Sequence, residues 1–121
     1  MKRQAGHAED FWVARRPVRS SATGRPIMLL LDLLGRRWTL RVLWELRRPA
    51  SSFRELQARC DGMASSVLWR RVGELREAGI VTGSADEPGL RLTAEGEDLL
   101  DRLQGLNDWA ERRAAQSRKN L

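Results

Sequence analysis

The sequence predicts a mostly α-helical domain with one small β-hairpin, an α+β fold, and two observations support this prediction. Apolar residues recur at helical spacing between residues 27 and 78, and the spacing then gives way to two short strand-like stretches on either side of a turn. The length of 121 residues is that of one ordinary domain. We therefore divide the chain into an N-terminal extension (1–25), a central module (26–93) and a C-terminal helix (94–121).

Two helices are predicted at the start of the central module. The first ends at Gly35 and carries an apolar stripe formed by Ile27, Leu30, Leu31 and Leu34. The second runs from about Trp38 to Arg48, and Pro49 stops it. Because the second helix is apolar nearly all round, we expect it to be buried, with Trp38 and Trp44 in the core.

A third and a fourth helix follow, joined by a tight turn at residues 61–63. Ser51 or Ser52 caps the third helix, and Glu55 completes a capping box. The apolar face of this helix consists of Phe53, Leu56 and Cys60. The fourth helix spans about Ser65 to Ala78, is capped by Ser65 and stops at Gly79, and its core line is Leu68, Val72 and Leu75.

The C-terminal part of the chain predicts a hairpin and a long helix. Residues 80–82 and 90–92 are short strands around a turn at 86–89, and Thr93 caps a last helix that extends to roughly Arg118. An apolar seam follows this helix, formed by Leu99, Leu103, Leu106, Trp109 and Ala110. Since a seam on the terminal helix of a small protein usually needs a partner, we expect a homodimer.

Three helices followed by a β-hairpin are the order of a winged helix-turn-helix, and the last three of the four predicted helices followed by the hairpin have this order, here with additional N- and C-terminal dimerisation helices. The helix before the hairpin is then the recognition helix, which enters the major groove of double-stranded DNA. Its core line leaves an outward N-terminal half, expected to reach the bases, that consists of Ser65, Ser66, Trp69 and Arg70. Arg71 lies to one side, within reach of a phosphate, whereas Glu74 and Glu77 would repel the DNA backbone.

The net charge favours an anionic partner such as nucleic acid. The chain holds 22 Lys+Arg against 16 Asp+Glu, a formal charge of +6, and the excess lies in residues 1–93. Further phosphate contacts are expected from Arg37, Arg54 and Arg91. A basic arm is expected to follow the backbone or enter the minor groove through Arg15, Arg16, Arg19 and Arg25. The tip of the wing carries Asp86 and Glu87 instead, so we expect little affinity from it.

Five stretches, in order and in register, resemble the HxlR-type family of bacterial winged-helix regulators: Gly35–Leu40, Phe53–Leu56, Val67–Leu75, Glu77–Val81 and Leu92–Gly96. The resemblance implies a homodimeric, DNA-binding transcriptional regulator, often a repressor, whose dimer is built from N- and C-terminal helices. Many family members carry a sensing cysteine just before the proline that opens the first core helix, where this chain has Arg25. Cys60 is instead expected to be a small buried hydrophobe. Trp69 replaces a small polar residue of the family, and we favour a DNA contact over its folding back across apolar surface.

Several classes of protein are excluded by what the sequence lacks. One cysteine and one histidine form neither a disulfide framework nor a conventional zinc site, and no phosphate-cradling or catalytic signature is present. The longest aliphatic run, residues 27–31, is too short to span a bilayer, and acidic residues near the N-terminus argue against a signal peptide. We expect a cytoplasmic protein without catalytic residues, metal or cofactor, associated with the nucleoid when bound to DNA.

Two alternatives stay open at this point. The acidic wing, Glu74, Glu77 and the bulky Trp69 are also compatible with a protein-interaction module whose DNA binding is weak or lost. A regulator that holds a small-molecule effector between tryptophans at the dimer interface is compatible with DNA binding and adds a switch to it. A homodimer would place two recognition helices in successive major grooves of a pseudo-palindromic operator, about 34 Å apart.

Overall fold

A computed structural model describes residues 9–13, 25–83 and 89–121. Within this part of the chain, five helices and one antiparallel two-stranded sheet follow a short helical segment at residues 9–13. They are α1 (Pro26–Leu34), α2 (Thr39–Glu45), α3 (Phe53–Arg59), α4 (Ser65–Glu77), β1 (Val81–Thr82), β2 (Arg91–Leu92) and α5 (Ala94–Lys119). The predicted fold class, mostly helical with a small hairpin, is confirmed.

One hydrophobic core joins these elements. Every helix of the winged-helix module contributes fully buried leucines or valines to it, among them Leu33, Leu43, Leu56 and Leu75, and Leu90 adds to it from the position just before β2. The predicted core line of α4 is confirmed, because Leu68, Val72 and Leu75 are all buried. Phe11 is also buried in this core, so the helical segment at residues 9–13 packs against the winged-helix body.

The prediction that α2 is buried on all sides is wrong. Val42 and Leu43 point into the core, but the helix has only seven residues and packs one face. The apolar side chains on its other face lie at the surface, with exposed fractions of 51 % for Leu40, 41 % for Trp44 and 38 % for Trp38. Trp38 precedes the helix with a left-handed backbone (φ 78°), which turns it away from the core-facing side chains.

The cap predicted for α3 is confirmed. The Ser52 hydroxyl accepts a hydrogen bond from the Glu55 backbone N–H at 3.0 Å. The Glu55 carboxylate reaches back to Ser51, whose backbone N–H and hydroxyl donate to it at 2.5 and 2.6 Å. These bonds, together with one from Arg59, lower the pKa of Glu55 to about 2. Two orphan backbone donors at the start of the helix are thereby satisfied.

The wing is a short antiparallel ladder followed at once by the long helix. Val81 pairs with Leu92 and Thr82 pairs with Arg91. The Thr93 hydroxyl caps α5 by accepting from the Gly96 N–H at 3.0 Å, as predicted. The acidic tip predicted at residues 86–87 lies outside the described residues. No helix in the described ranges is long and apolar enough to cross a membrane.

Candidate nucleic-acid interface

Helix α4, the predicted recognition helix, is held in place at its C-terminal end. Gly79, with φ of 78°, donates its N–H to the carbonyl oxygen of Arg76 at 3.0 Å, and Ile80 donates to that of Leu75 at 2.9 Å. This pair of bonds is a Schellman motif, which needs the left-handed conformation that glycine adopts without strain. The predicted stop at Gly79 is confirmed, and the chain runs directly from it into the wing.

The N-terminal half of α4 faces outward. Ser65, Ser66 and Arg70 are exposed, and the first turn holds no acidic residue. The predicted cap at Ser65 is wrong: Ala64 occupies the N-cap position, and no side chain there bonds the helix. The N-cap residue therefore gives the backbone N–H groups of the first turn no side-chain cap, and the positive end of the helix dipole lies at the exposed residues 64–66.

Arg71 and Glu74 hold the middle of α4 against the turn before α2. The Arg71 side chain is only 14 % exposed, and its guanidinium donates to the Arg37 carbonyl oxygen at 2.8 Å and to Glu74 at 2.7 Å. Glu74 also pairs with Arg36 at 3.1 Å. Arg71 thus has internal partners where we expected a phosphate contact, and two guanidiniums offset the charge of Glu74 that we expected to repel DNA.

Trp69 forms a parallel stack with Phe53 at the start of α3. The ring centroids are 4.0 Å apart and the planes differ by 4°. The indole is half-buried and packs on apolar surface of its own chain, which is the alternative to a DNA contact that the sequence left open. A contact between its uncovered edge and DNA stays a prediction. The stack also ties the first turn of α3, which carries Arg54, to the outward half of α4.

Four of the arginines predicted to contact DNA are free to do so. Arg37, Arg54, Arg70 and Arg91 are exposed, and none of them forms an ion pair with any other residue that the structure describes. Arg37 and Arg54 flank α4, because the Arg71 bond and the Trp69 stack attach their neighbourhoods to this helix. Arg25 is exposed before α1. The other arm residues, Arg15, Arg16 and Arg19, lie outside the described residues.

Sequence reasoning missed how the helix is braced. The bond between Arg71 and the Arg37 carbonyl joins residues that are 34 positions apart, and no local pattern announces it. The pairing of Arg71 with Glu74 could have been predicted from the sequence, since side chains three positions apart on a helix are neighbours. The stack of Phe53 on Trp69 carries no sequence signal beyond the two aromatic residues.

The seam predicted along α5 divides into two parts. Leu99 and Leu103 are half-buried because they pack against the core of the same chain. Leu106 and Trp109 are 65 % and 55 % exposed, and Ala110 is exposed beside them. An α-helix of 26 residues is about 39 Å long, so its second half extends beyond the body that the first half covers.

The sulfur chemistry follows the sequence prediction. Cys60 is buried in the core, and this burial raises the pKa of its thiol. A raised pKa keeps the sulfur in the poorly reactive thiol form at neutral pH. No group of three or more metal-ligating side chains occurs in the described ranges, which leave out His7.

The arrangement of helices followed by a short hairpin and a long helix is similar to that of known proteins. A family model described as HxlR-like helix-turn-helix matches residues 33–118, from the end of α1 to the last turn of α5. The chain belongs to the HxlR-like helix-turn-helix family. The resemblance read from the five sequence stretches is thereby confirmed. This HxlR-like chain is a DNA-binding transcriptional regulator, and members of that class generally have no enzymatic activity.

Solved structures of regulators have a similar fold. A protein described as a transcriptional regulator of the MarR family from Enterococcus faecalis V583 is 31% identical with a TM-score of 0.68, over 78% of this chain and 90% of that one. Quinone-bound YodB from B. subtilis is 26% identical with a TM-score of 0.61, over 69% of this chain and 92% of that one. Diamide-treated YodB from B. subtilis is 26% identical with a TM-score of 0.57, over 72% of this chain and 92% of that one. No curated protein matches the chain.

Proposed function

We propose that this chain is a homodimeric, sequence-specific repressor that presents the N-terminal half of α4 to the major groove of a pseudo-palindromic operator. The observation that carries the proposal is the outward face of α4, where Ser65, Ser66 and Arg70 are exposed. An unpaired guanidinium has the donor geometry that fits O6 and N7 of guanine, and a serine hydroxyl donates to or accepts from either base. Beside Arg70, the uncovered edge of Trp69 contacts a sugar or a thymine methyl.

The flanking arginines position the helix on the duplex. Arg37, Arg54 and Arg91 bind backbone phosphates, and such contacts set register without reading sequence. Arg71 acts through the Arg37 backbone that it bonds, as a positioning residue for the phosphate contact. Arg25 and the three arginines before it extend the contact along the backbone or into the minor groove.

The first experiment is fluorescence anisotropy of the purified protein on DNA from its own promoter region, with a scrambled duplex in parallel, at two salt concentrations. We expect tight binding to the native duplex that is well above binding to the scrambled one and is retained at the higher salt. Equally weak, steeply salt-dependent binding to both would indicate charge attraction alone and would favour the protein-interaction alternative. Repression further requires that transcription in vitro from the same promoter falls when the protein is added.

Arg70→Ala tests base reading. If Arg70 reads a guanine, the variant loses about 1–3 kcal/mol of binding free energy on the operator and discriminates less against a change of that base pair. Arg76→Ala removes the same charge from the last turn of the same helix, and it should leave base preference unchanged. Equal weakening of Arg70→Ala on all duplexes would make this residue a phosphate contact and contradict the assignment.

The exposed part of the α5 seam supports a homodimer. Leu106 and Trp109 lie three positions apart on one helix face, and neither packs on its own body. We expect sedimentation velocity to give a dimer, and the double variant Leu106→Gln, Trp109→Gln to give a monomer. Glu111→Gln changes an exposed residue of the same helix and should stay dimeric. A dimer that survives the double variant would place the interface elsewhere.

A further inference from the structure

A groove with a volume of about 410 Å³ lies at the other end of the recognition helix. Its walls come from the helical segment at residues 9–13, from α1, from the link between α4 and β1, and from the first turns of α5. The apolar side chains that line it are Trp12, Leu30, Ala78, Ile80 and Leu99. Since α4 has 13 residues, this end is about 18 Å from its DNA-facing start. A volume of this size suits a small organic molecule.

The remaining lining side chains make the groove negative. Among the residues that the structure describes, Glu9, Glu95 and Asp98 line the groove together with one basic residue, Arg102. Asp98 is paired with Arg102 at 3.2 Å, which leaves the carboxylates of Glu9 and Glu95 without an ion pair in the described part of the chain. The chain as a whole has a formal charge of +6, whereas the described residues that line the groove carry a net negative charge.

Two further features favour a positive ligand. The C-terminal end of α4, at Ala78 and Gly79, forms part of the wall, and the end of a helix carries a partial negative charge. Trp12 is pinned in place because its indole N–H donates to the Ala78 carbonyl oxygen at 2.8 Å. A fixed indole ring attracts cations through its face.

We propose that this groove binds an organic cation with a compact apolar body, such as an aromatic ammonium or amidinium, as an effector of the regulator. The apolar floor removes the body of such a molecule from water, and the carboxylates attract its charge. An inorganic cation would gain nothing from the apolar part of the lining, an organic anion would be repelled by the carboxylates, and a neutral analogue would lack the electrostatic part of the attraction.

The groove is attached to the recognition helix by hydrogen bonds. Trp12 bonds the carbonyl of Ala78, and the Thr93 hydroxyl donates to the carbonyl of Gly79 at 2.6 Å. A molecule that fills the groove contacts both sides of this junction, and it shifts the position of α4 to the extent that it binds one position more tightly than another. The effect on operator affinity rests on the proposed function, whereas binding in the groove does not.

Isothermal titration calorimetry of the full chain, without DNA, tests the binding with three probes of one shape. These probes are 1-naphthylmethylammonium, the neutral 1-naphthalenemethanol and the anionic 1-naphthoate. We expect the cation to bind most tightly, the neutral alcohol about 5-fold more weakly and the anion more weakly still, and we expect only the affinity of the cation to fall as salt is added. Absence of binding, or equal affinity for the cation and the alcohol, would overturn the proposal.

Single-charge variants locate the site. Glu95→Gln and Glu9→Gln should each weaken binding of the cation about 2–5-fold and leave the alcohol unaffected. Glu97→Gln is the matched control, because Glu97 also lies in the first turn of α5 but does not line the groove. If Glu95→Gln and Glu97→Gln bind the cation with equal affinity, the proposal is overturned. So would binding that appears only as the dimer dissociates, which would assign the groove to a second copy of the chain.

A separate anisotropy titration with operator DNA then measures the coupling. We expect 1-naphthylmethylammonium to change the affinity of the unaltered protein for DNA and to leave that of Glu95→Gln nearly constant. If no sample binds the operator DNA, with or without the cation, the proposed function is contradicted and the calorimetric result still stands. Bound cation with unchanged DNA affinity would overturn the effector role.

Discussion

Gly96 lies where the start of α5 crosses the beginning of the wing, and we predict that one added methyl group there destabilises the fold. A Cβ atom on Gly96 would overlap the Ile80 carbonyl oxygen and would lie 3.1 Å from the carbonyl carbon and 3.2 Å from Cγ2 of the same residue. The obstacle is backbone, so no side-chain rotation removes it. The substitution Gly96→Ala therefore requires α5 and the wing to move apart.

The magnitude follows from two opposing effects. Overpacking a closely packed contact costs about 1–3 kcal/mol. The movement also strains the bonds that Ile80 accepts from Thr93, through the backbone N–H at 2.9 Å and the hydroxyl at 3.2 Å. Replacing a helical glycine by alanine recovers about 0.5–1 kcal/mol. We expect the free energy of unfolding to fall by about 1–2 kcal/mol, a decrease in Tm on the order of 4–8 °C for a domain of this size.

Urea unfolding followed by circular dichroism measures this change, and a second glycine of the same helix is the control. Outside its own helix backbone, a Cβ on Gly105 would meet no atom of the described residues within 4 Å, so Gly105→Ala should raise the free energy of unfolding by about 0.5–1 kcal/mol. The two variants should therefore move in opposite directions. A Gly96→Ala protein as stable as Gly105→Ala would refute the close approach of α5 to Ile80.

Two further predictions concern stability. Thr39→Val should raise the free energy of unfolding by about 1 kcal/mol in the same urea assay, because the buried Thr39 hydroxyl has no hydrogen-bond partner among the residues that the structure describes; an unchanged value would contradict this. For Glu55, whose pKa falls from 4.5 to about 2 on folding, the stabilisation is complete above about pH 4.5 and is lost as the pH falls towards 2. The difference in Tm between the unaltered protein and Glu55→Gln should shrink over that window, and a constant difference would argue against the hydrogen bonds from Ser51.

Local signals in the sequence predicted the elements and several of their ends, although the cap at Ser65 and the end of α2 at Arg48 were predicted wrongly. The cap formed by Ser52 and Glu55, the stop at Gly79 and the cap at Thr93 all appear in the structure as expected. Each of these interactions joins residues a few positions apart, so it can be predicted from the local sequence without knowledge of the tertiary structure. The apolar line of α4 is equally local, because a helical period assigns its inner face once the helix exists.

The surroundings of individual side chains were decided by the tertiary structure alone. An apolar pattern cannot distinguish a residue that packs in the core from one that stays exposed on the folded chain. For this reason Trp38 and Trp44 were predicted to be buried, whereas in the structure they lie at the surface. Arg71 was predicted to contact a phosphate, but the packing of α4 places the Arg37 carbonyl oxygen within hydrogen-bond distance of its guanidinium. The sequence by itself determined which elements form and in what order, since periodicity and caps act over a few residues. Only the packing of those elements decided which arginines are free to meet DNA, because their partners lie on other elements, far away along the chain.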